Sequence, residues 1–386
     1  MTESTVQALA DRVERAMKAF RSRTPLTTLG APAGAFFTAT RWQSRPYAQP
    51  MVWLGTVGCR HVVDHGGCTM CDFGHGDYQR EEIIDGLNRV LDRLAGAPLL
   101  HLAAPGSFID DAEVPAELRD QVLAAVAARG TVAIGIEARP EHIRVESLVS
   151  AVRSIRDGGG SSLAELSIGT GVEAFDDAVA RVCVNKGSTR AAAIVALENT
   201  RRANSQLEGV DVLAEAHVLL KPPALTEAEA IADATAAIEW CLAEGFERAI
   251  LMLCSAKPQS PLGILAMTGG CSAPGADYQP ASLWSALEVL SRLPGSMRSR
   301  VRVHGFASNT PIGLRPTTCP ACEQVVIAAI QHFNCTGTDD GLAAVRRLGC
   351  ECRDRWTAAC DQEPRESLSV RMHEFVDALE RASEVG

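Results

Sequence analysis

The chain has 386 residues, a formal net charge of −10 and 46% hydrophobic residues. The length suits one large domain with an appendage, or two domains. The charge is poor footing for a nucleic-acid binder, and no apolar run reaches the roughly 18 residues a membrane-spanning helix requires.

Residues 1–23 are polar and charged, without the apolar stretch of a signal peptide, so a soluble cytoplasmic protein is expected. Within them, residues 6–20 read as an amphipathic helix. Seven apolar runs follow, at 51–57, 98–104, 131–137, 163–169, 212–220, 248–254 and 301–306. Between them lie segments of helical spacing. Ile83, Ile84, Leu87, Val90, Leu91 and Leu94 form one; Leu118, Val122, Leu123 and Val126 another; Ile231, Ala234, Ile238 and Leu242 a third. Strands alternating with helices predict parallel βαβ units, closed into a partial (β/α)6-type barrel rather than a simple open sheet. In such barrels the chemistry gathers at the C-terminal ends of the strands. Gly158, Gly159, Gly160, Ser161 and Ser162 form a flexible loop before the fourth run. Arg298, Arg300 and Arg302, the densest basic stretch, lead into the last run and read as a solvated strand entry. Helices are expected at 320–332, with Pro320 near its start, and at 367–382. The expected organisation is an N-terminal helical extension (1–50), a barrel (51–310) and a cysteine-rich metal-binding region (311–386).

The thirteen cysteines are unevenly placed. Cys183, Cys241, Cys254 and Cys271 stand alone and read as small buried hydrophobes. Cys59, Cys68 and Cys71 are spaced C-x8-C-x2-C directly after the first apolar run. Three thiolates suit a [4Fe–4S] cluster with one iron left open. Gly66 and Gly67 let that loop fold tightly, and Phe73 is placed to cover it. The alternative is a zinc site combining C-x2-C with His61, His65 or His75. In the tail, Cys319 and Cys322 form C-x2-C and Cys350 and Cys352 form C-x-C. Four thiols in two close pairs hold either structural zinc or a second [4Fe–4S] cluster, with Cys335 and Cys360 as spare ligands.

The chain resembles the radical S-adenosylmethionine (SAM) superfamily, whose members typically carry C-x3-C-x2-C, with a longer first spacing. It is similar to the elongator catalytic subunit group and, more closely, to the archaeosine synthase radical SAM subunit. The resemblance includes Gly106-Ser107-Phe108-Ile109-Asp110 after the second run and Glu137-Ala138-Arg139-Pro140-Glu141 after the third. It continues through Ile168-Gly169 and Glu173, Asn185-Lys186-Gly187, Leu220-Lys221-Pro222-Pro223 and the tail cysteines, covering roughly residues 50–356.

The resemblance implies a radical SAM barrel carrying a [4Fe–4S] cluster and SAM. It sets Gly106 and Ser107 against the methionine amino group, Glu137 and Arg139 against ribose and carboxylate, and Gly169 and Glu173 near ribose or adenine. Lys221 is either a binder of substrate carboxylate or phosphate, or simply exposed. A tail behind such a barrel favours an auxiliary [4Fe–4S] cluster over zinc at Cys319, Cys322, Cys350 and Cys352. The leading expectation is an enzyme whose 5′-deoxyadenosyl radical takes hydrogen from a nucleoside-like or amino-acid-bearing small molecule, with bond cleavage, rearrangement or sulfur insertion assisted by that cluster. An electron donor such as flavodoxin or ferredoxin is implied. A tRNA-base substrate is disfavoured by the acidic charge and by the uncharged stretch 263–270, and a non-enzymatic zinc protein is the third alternative.

Overall fold

Apolar side chains alternating along the strands fix which face of the sheet meets the helices. In the computed structural model, which describes residues 1–386 except 95, 161–162, 269–277, 307–313, 363, 365 and 386, the chain opens with α1 (Glu3–Arg23). Thr2 caps it by accepting from the Thr5 backbone N–H. The strands β1 (Ala33–Trp42) and β2 (Arg45–Leu54) then pair as an antiparallel hairpin. After the short α2 (Arg60–His65) and α3 (Arg80–Arg93), helices and strands alternate. They are β3 (Leu99–Ala103), α4 (Ala116–Ala127), β4 (Ala133–Glu137), α5 (Val145–Asp157), β5 (Glu165–Glu173), α6 (Arg190–Asn204), β6 (Asp211–Leu220), α7 (Glu227–Glu244) and β7 (Arg248–Leu253). Three helices, α8 (Pro261–Thr268), α9 (Leu283–Arg292) and α10 (Gly295–Arg298), precede β8 (Val301–His304). The tail is helical: α11 (Pro320–Thr336), α12 (Asp340–Arg346), α13 (Glu351–Asp361) and α14 (Leu368–Val385).

The strands form one sheet in the order β1 to β8, with β2 to β8 parallel. All seven apolar runs become these parallel strands. The sheet is a nearly closed barrel. Helix α11 packs against β1, β2 and β8 at the seam. There Asn334 takes the place of a strand neighbour: its Oδ1 accepts from the Val303 N–H (2.9 Å) and its Nδ2 donates to the Val303 carbonyl (2.8 Å). That satisfies a buried edge which would otherwise cost about 1–3 kcal/mol per orphaned group.

Residues 1–50 are more than a helical extension, because β1 and the start of β2 belong to the sheet. Residues 263–268 of the uncharged stretch lie in α8. The rest of that stretch, Cys271, Ser161, Ser162 and the expected boundary at 310–311 fall outside the described residues. Cys183, Cys241 and Cys254 are buried, at 0%, 0% and 2% exposure. Among the described residues no helix is long and apolar enough to cross a membrane.

The two faces of the sheet differ in chemistry. Val52, Leu100, Ile134, Leu166, Val218, Leu251 and Val303 point into the helix layer. The intervening positions line the interior. They include His101, Glu137, Glu215, His217, Arg302 and His304, with Gly135, Gly169 and Gly171 among them.

Candidate active site at the strand ends

The C-x8-C-x2-C loop leaves the C-terminal end of β2. Cys59 caps α2, and Gly66 ends that helix at φ 77°, followed by Gly67 at φ 81°. A Cβ on Gly66 would stand 2.5 Å from the Met17 backbone, so only glycine lets the loop lie against α1. Cys71 N–H donates to the Cys68 carbonyl (3.1 Å), closing a turn between the last two thiols.

Distant residues hold this loop. Asn185 Nδ2 donates to the carbonyls of His65 (3.0 Å) and Gly67 (2.7 Å). Thr69 donates its N–H to Val184 O (3.0 Å) and its hydroxyl to Cys183 O (2.6 Å). From α1, Arg21 reaches the carbonyls of Cys71 and Gln259. The three cysteines are free thiols. Burial pushes the Cys59 thiol up to about 11 and the Cys68 thiol up to about 12, so both stay protonated until a metal displaces the proton.

Two histidines of the alternative zinc site, His61 and His65, have other partners. His61 is buried and donates from Nε2 to the Asn185 carbonyl (2.6 Å). Burial, with Arg139 nearby, pushes its ring down to about 3. His65 Nδ1 lies 3.1 Å from Glu14 Oε2. A three-thiol donor set fits an iron–sulfur cluster better than a mixed zinc site.

The residues after β3, β4 and β5 converge on the same end. A Cβ on Gly106 would collide with the Glu113 carboxylate and stand 3.0 Å from the Cys59 Cα. Glu113, fully buried, accepts from the backbone N–H groups of Arg60 (2.7 Å) and Ser107, locking the β3 loop to the cysteine loop. The Ser107 hydroxyl accepts from Arg139 N–H (3.0 Å) and contacts His142 Nδ1 (2.8 Å), so this side chain is committed within the protein. Arg139 donates to the Lys186 carbonyl (2.6 Å) and pairs with Glu141. Glu173, at φ 68° beside an irregularity in β5, pairs with Lys186 Nζ at 2.6 Å. Burial opposes the Lys186 charge, but the Glu173 carboxylate outweighs it and raises its pKa.

Glu137 is the open group. Its side chain is 36% exposed, with Oε1 3.3 Å from His101 Nε2. Burial would raise its pKa, but His101, His217 and Lys186 outweigh that and hold the carboxyl down at about 2. Gly169 faces it: a Cβ there would lie 3.5 Å from Glu137 Cγ and 2.5 Å from His217 Nε2. His101, His217 and His304 were missed in the sequence, being single polar residues inside apolar runs. Burial, with His217 and His101 as neighbours, pushes His304 down to about 4, so its ring is neutral.

Two expected residues are engaged within the protein. Lys221 is held in a buried pair with Glu227 (2.6 Å, side chains 14% and 10% exposed). Phe73 is 56% exposed, with Lys257 Nζ 4.2 Å from its ring centroid.

In the tail, the sulfur atoms of Cys319, Cys322, Cys350 and Cys352 all lie within 4.8 Å of one another. Cys335 and Cys360 are outside that group. Cys335 sits at the far end of α11, about 24 Å along the axis from Cys319.

No family model matches the chain. It is 26% identical to archaeosine synthase subunit beta of Thermococcus kodakarensis, over 81% of this chain and 91% of that one. It is 24% identical to an uncharacterized protein of Methanocaldococcus jannaschii, over 80% and 81% of the two chains. Among solved structures, the radical S-adenosylmethionine methyltransferase TsrM from Kitasatospora setae aligns with a TM-score of 0.42 at 12% identity, over 78% of this chain and 61% of that one. Methylornithine synthase aligns with a TM-score of 0.45 at 11% identity, over 78% and 71%. The resemblance carried by the motifs thus extends along four-fifths of the chain.

Proposed function

We propose that this chain is a radical SAM enzyme whose Cys59, Cys68 and Cys71 hold a [4Fe–4S] cluster with one open iron. The observation carrying this reading is the convergence at one end of the sheet. The cysteine loop after β2 is bonded through Glu113, Ser107, Arg139 and Lys186 to the ends of β3, β4 and β5. When bound, such a cluster supplies one electron to SAM chelated at the open iron, giving methionine and a 5′-deoxyadenosyl radical that takes hydrogen from a substrate carbon.

The chain's own residues bind and orient. The ionised Glu137 carboxylate accepts hydrogen bonds from the SAM ribose, and Gly169 leaves room beside it. Ser107, its hydroxyl already committed, acts through the shape of the β3 loop. Glu173 and Lys186 stiffen the rim as a pair. The polar interior, with His101, His217 and His304, suits a hydrogen-bonding substrate such as a free nucleoside-like molecule, and the net charge of −10 supports that choice. A tRNA-borne base is the second reading. It is supported by the similarity to archaeosine synthase subunit beta, whose name makes it one part of a larger synthase. A small electron donor such as flavodoxin or ferredoxin completes the cycle.

The test is anaerobic reconstitution with iron and sulfide, then reductant and SAM. 5′-Deoxyadenosine is expected from the native chain and none from a Cys59→Ala, Cys68→Ala, Cys71→Ala triple variant. Equal product from both would sink the reading. Binding of tRNA as a function of salt separates the two substrates.

A further inference from the structure

The four tail sulfurs are too close together for the cluster that the sequence suggested. Cys319 Sγ and Cys350 Sγ are 3.6 Å apart, and no pair among the four exceeds 4.8 Å. All four are free thiols. Around a single tetrahedral ion with metal–sulfur bonds of about 2.3 Å, neighbouring sulfurs stand about 3.8 Å apart. A four-iron cube sits between its thiolates and spreads them to about 6 Å. We propose that Cys319, Cys322, Cys350 and Cys352 hold one structural zinc ion.

The surroundings fit a centre with four thiolates around one divalent ion, which carries two negative charges. Cys319 caps α11 and Cys322 lies in its first turn, while Cys350 caps α13 and Cys352 is its second residue. Two helix N-termini therefore meet at the sulfurs, and their partial positive charge stabilises anionic thiolates. Trp284 Nε1 adds a donor to Cys352 Sγ at 3.4 Å.

Packing shows what the ion does. Helix α13 has 11 residues and buries none of them. A helix that short is marginal in water, and α13 packs only partly buried side chains, Cys352, Trp356 and Cys360, against the core. Zinc supplies the missing fixation by tying its start to α11, the helix that seals the barrel seam. Once fixed, α13 sets Trp356 to donate to Ser285 Oγ (2.8 Å), and Ser285 in turn bonds Glu227, the partner of Lys221. A redox-inert ion here removes electron relay and sulfur donation from the tail. This inference is independent of the radical SAM reading.

The experiment uses the Cys59→Ala, Cys68→Ala, Cys71→Ala variant, reconstituted with iron and sulfide, so that the first site cannot contribute. Elemental analysis should find one zinc and no iron per chain. X-ray absorption at the zinc edge should show four sulfurs at about 2.3 Å. Adding Cys319→Ser and Cys350→Ser should remove the zinc. Should that variant fail to fold, mercurial titration of the triple variant should release one zinc as four thiols react. About four irons per chain, one iron, or four reactive thiols without metal would each overturn the proposal.

Discussion

The two cysteine regions are built on opposite principles. The loop 59–71 is folded by the protein. The segment 183–185, Arg21 and Glu113 tie it down from three distant parts of the chain, the first through Asn185 and through the bond from Thr69 to the Cys183 carbonyl, and two left-handed glycines shape it. The tail pairs sit at the starts of two helices, one of which has no buried side chain. Besides a few hydrogen bonds such as Trp356 to Ser285, what joins the two pairs is the convergence of four sulfurs. A metal at the first region would serve chemistry, and a metal at the second would serve folding. The lesson is that equally cysteine-rich segments differ in what the metal contributes, and the difference lies in the non-cysteine neighbours.

The largest expected effect breaks the comparison if it fails. Stripping all metal with a strong chelator should cut amide protection across residues 351–361 by about a hundredfold or more, while residues 59–71 change little. Restoring zinc alone should restore the tail. Hydrogen exchange read by mass spectrometry decides this, and equal loss in both regions would mean that the first loop also depends on its metal.

How much of this contrast was legible beforehand follows from the range of each interaction. The seven parallel strands were readable as short apolar runs separated by segments of helical spacing. Strand β1 was not, since Phe36 and Phe37 stay 42% and 58% exposed at the sheet's antiparallel edge. The interior histidines were hidden because each is a single polar residue inside such a run. Asn185 belonged to a recognisable motif, but its partners His65 and Gly67 lie about 120 residues earlier, beyond any local pattern. Lys221 looked available because nothing in the sequence ties it to Glu227. The tail thiols were obvious, yet C-x2-C and C-x-C suit zinc and iron–sulfur alike; the proposal of zinc rests on the sulfur separations, which no spacing reveals.

A smaller effect sharpens the functional side. Glu137→Ala should raise the SAM dissociation constant about ten- to a hundredfold, for a loss of about 1.5–3 kcal/mol, with iron, zinc and melting temperature unchanged. The sign of its pH dependence is fixed by the depressed pKa. With the carboxyl at about 2 instead of 4.5, the charge is present across pH 5–8 and is lost only as pH falls towards 2. SAM affinity should therefore be flat over pH 5–8 so far as Glu137 governs it. Equilibrium binding across that range tests both statements, and a melting temperature that drops with affinity unaltered would make Glu137 a structural residue.

The smallest effect probes whether the two regions communicate. Trp356→Phe removes the donor to Ser285 and keeps an aromatic ring, though a smaller one than the indole. Ser285 still bonds Glu227, so the Lys221–Glu227 pair should survive. The expected cost is about 0.5–1.5 kcal/mol, confined to α13, with zinc retained. Combining this change with Cys350→Ser gives a double-mutant cycle. If zinc fixes α13 and α13 in turn places the indole, the tryptophan can contribute only while zinc is bound. Its effect on unfolding free energy should then vanish in the Cys350→Ser background, a coupling of about 1 kcal/mol. Strictly additive losses would mean that Trp356 is held by its own packing against α9, and the tail metal would then be insulated from Glu227 and Lys221.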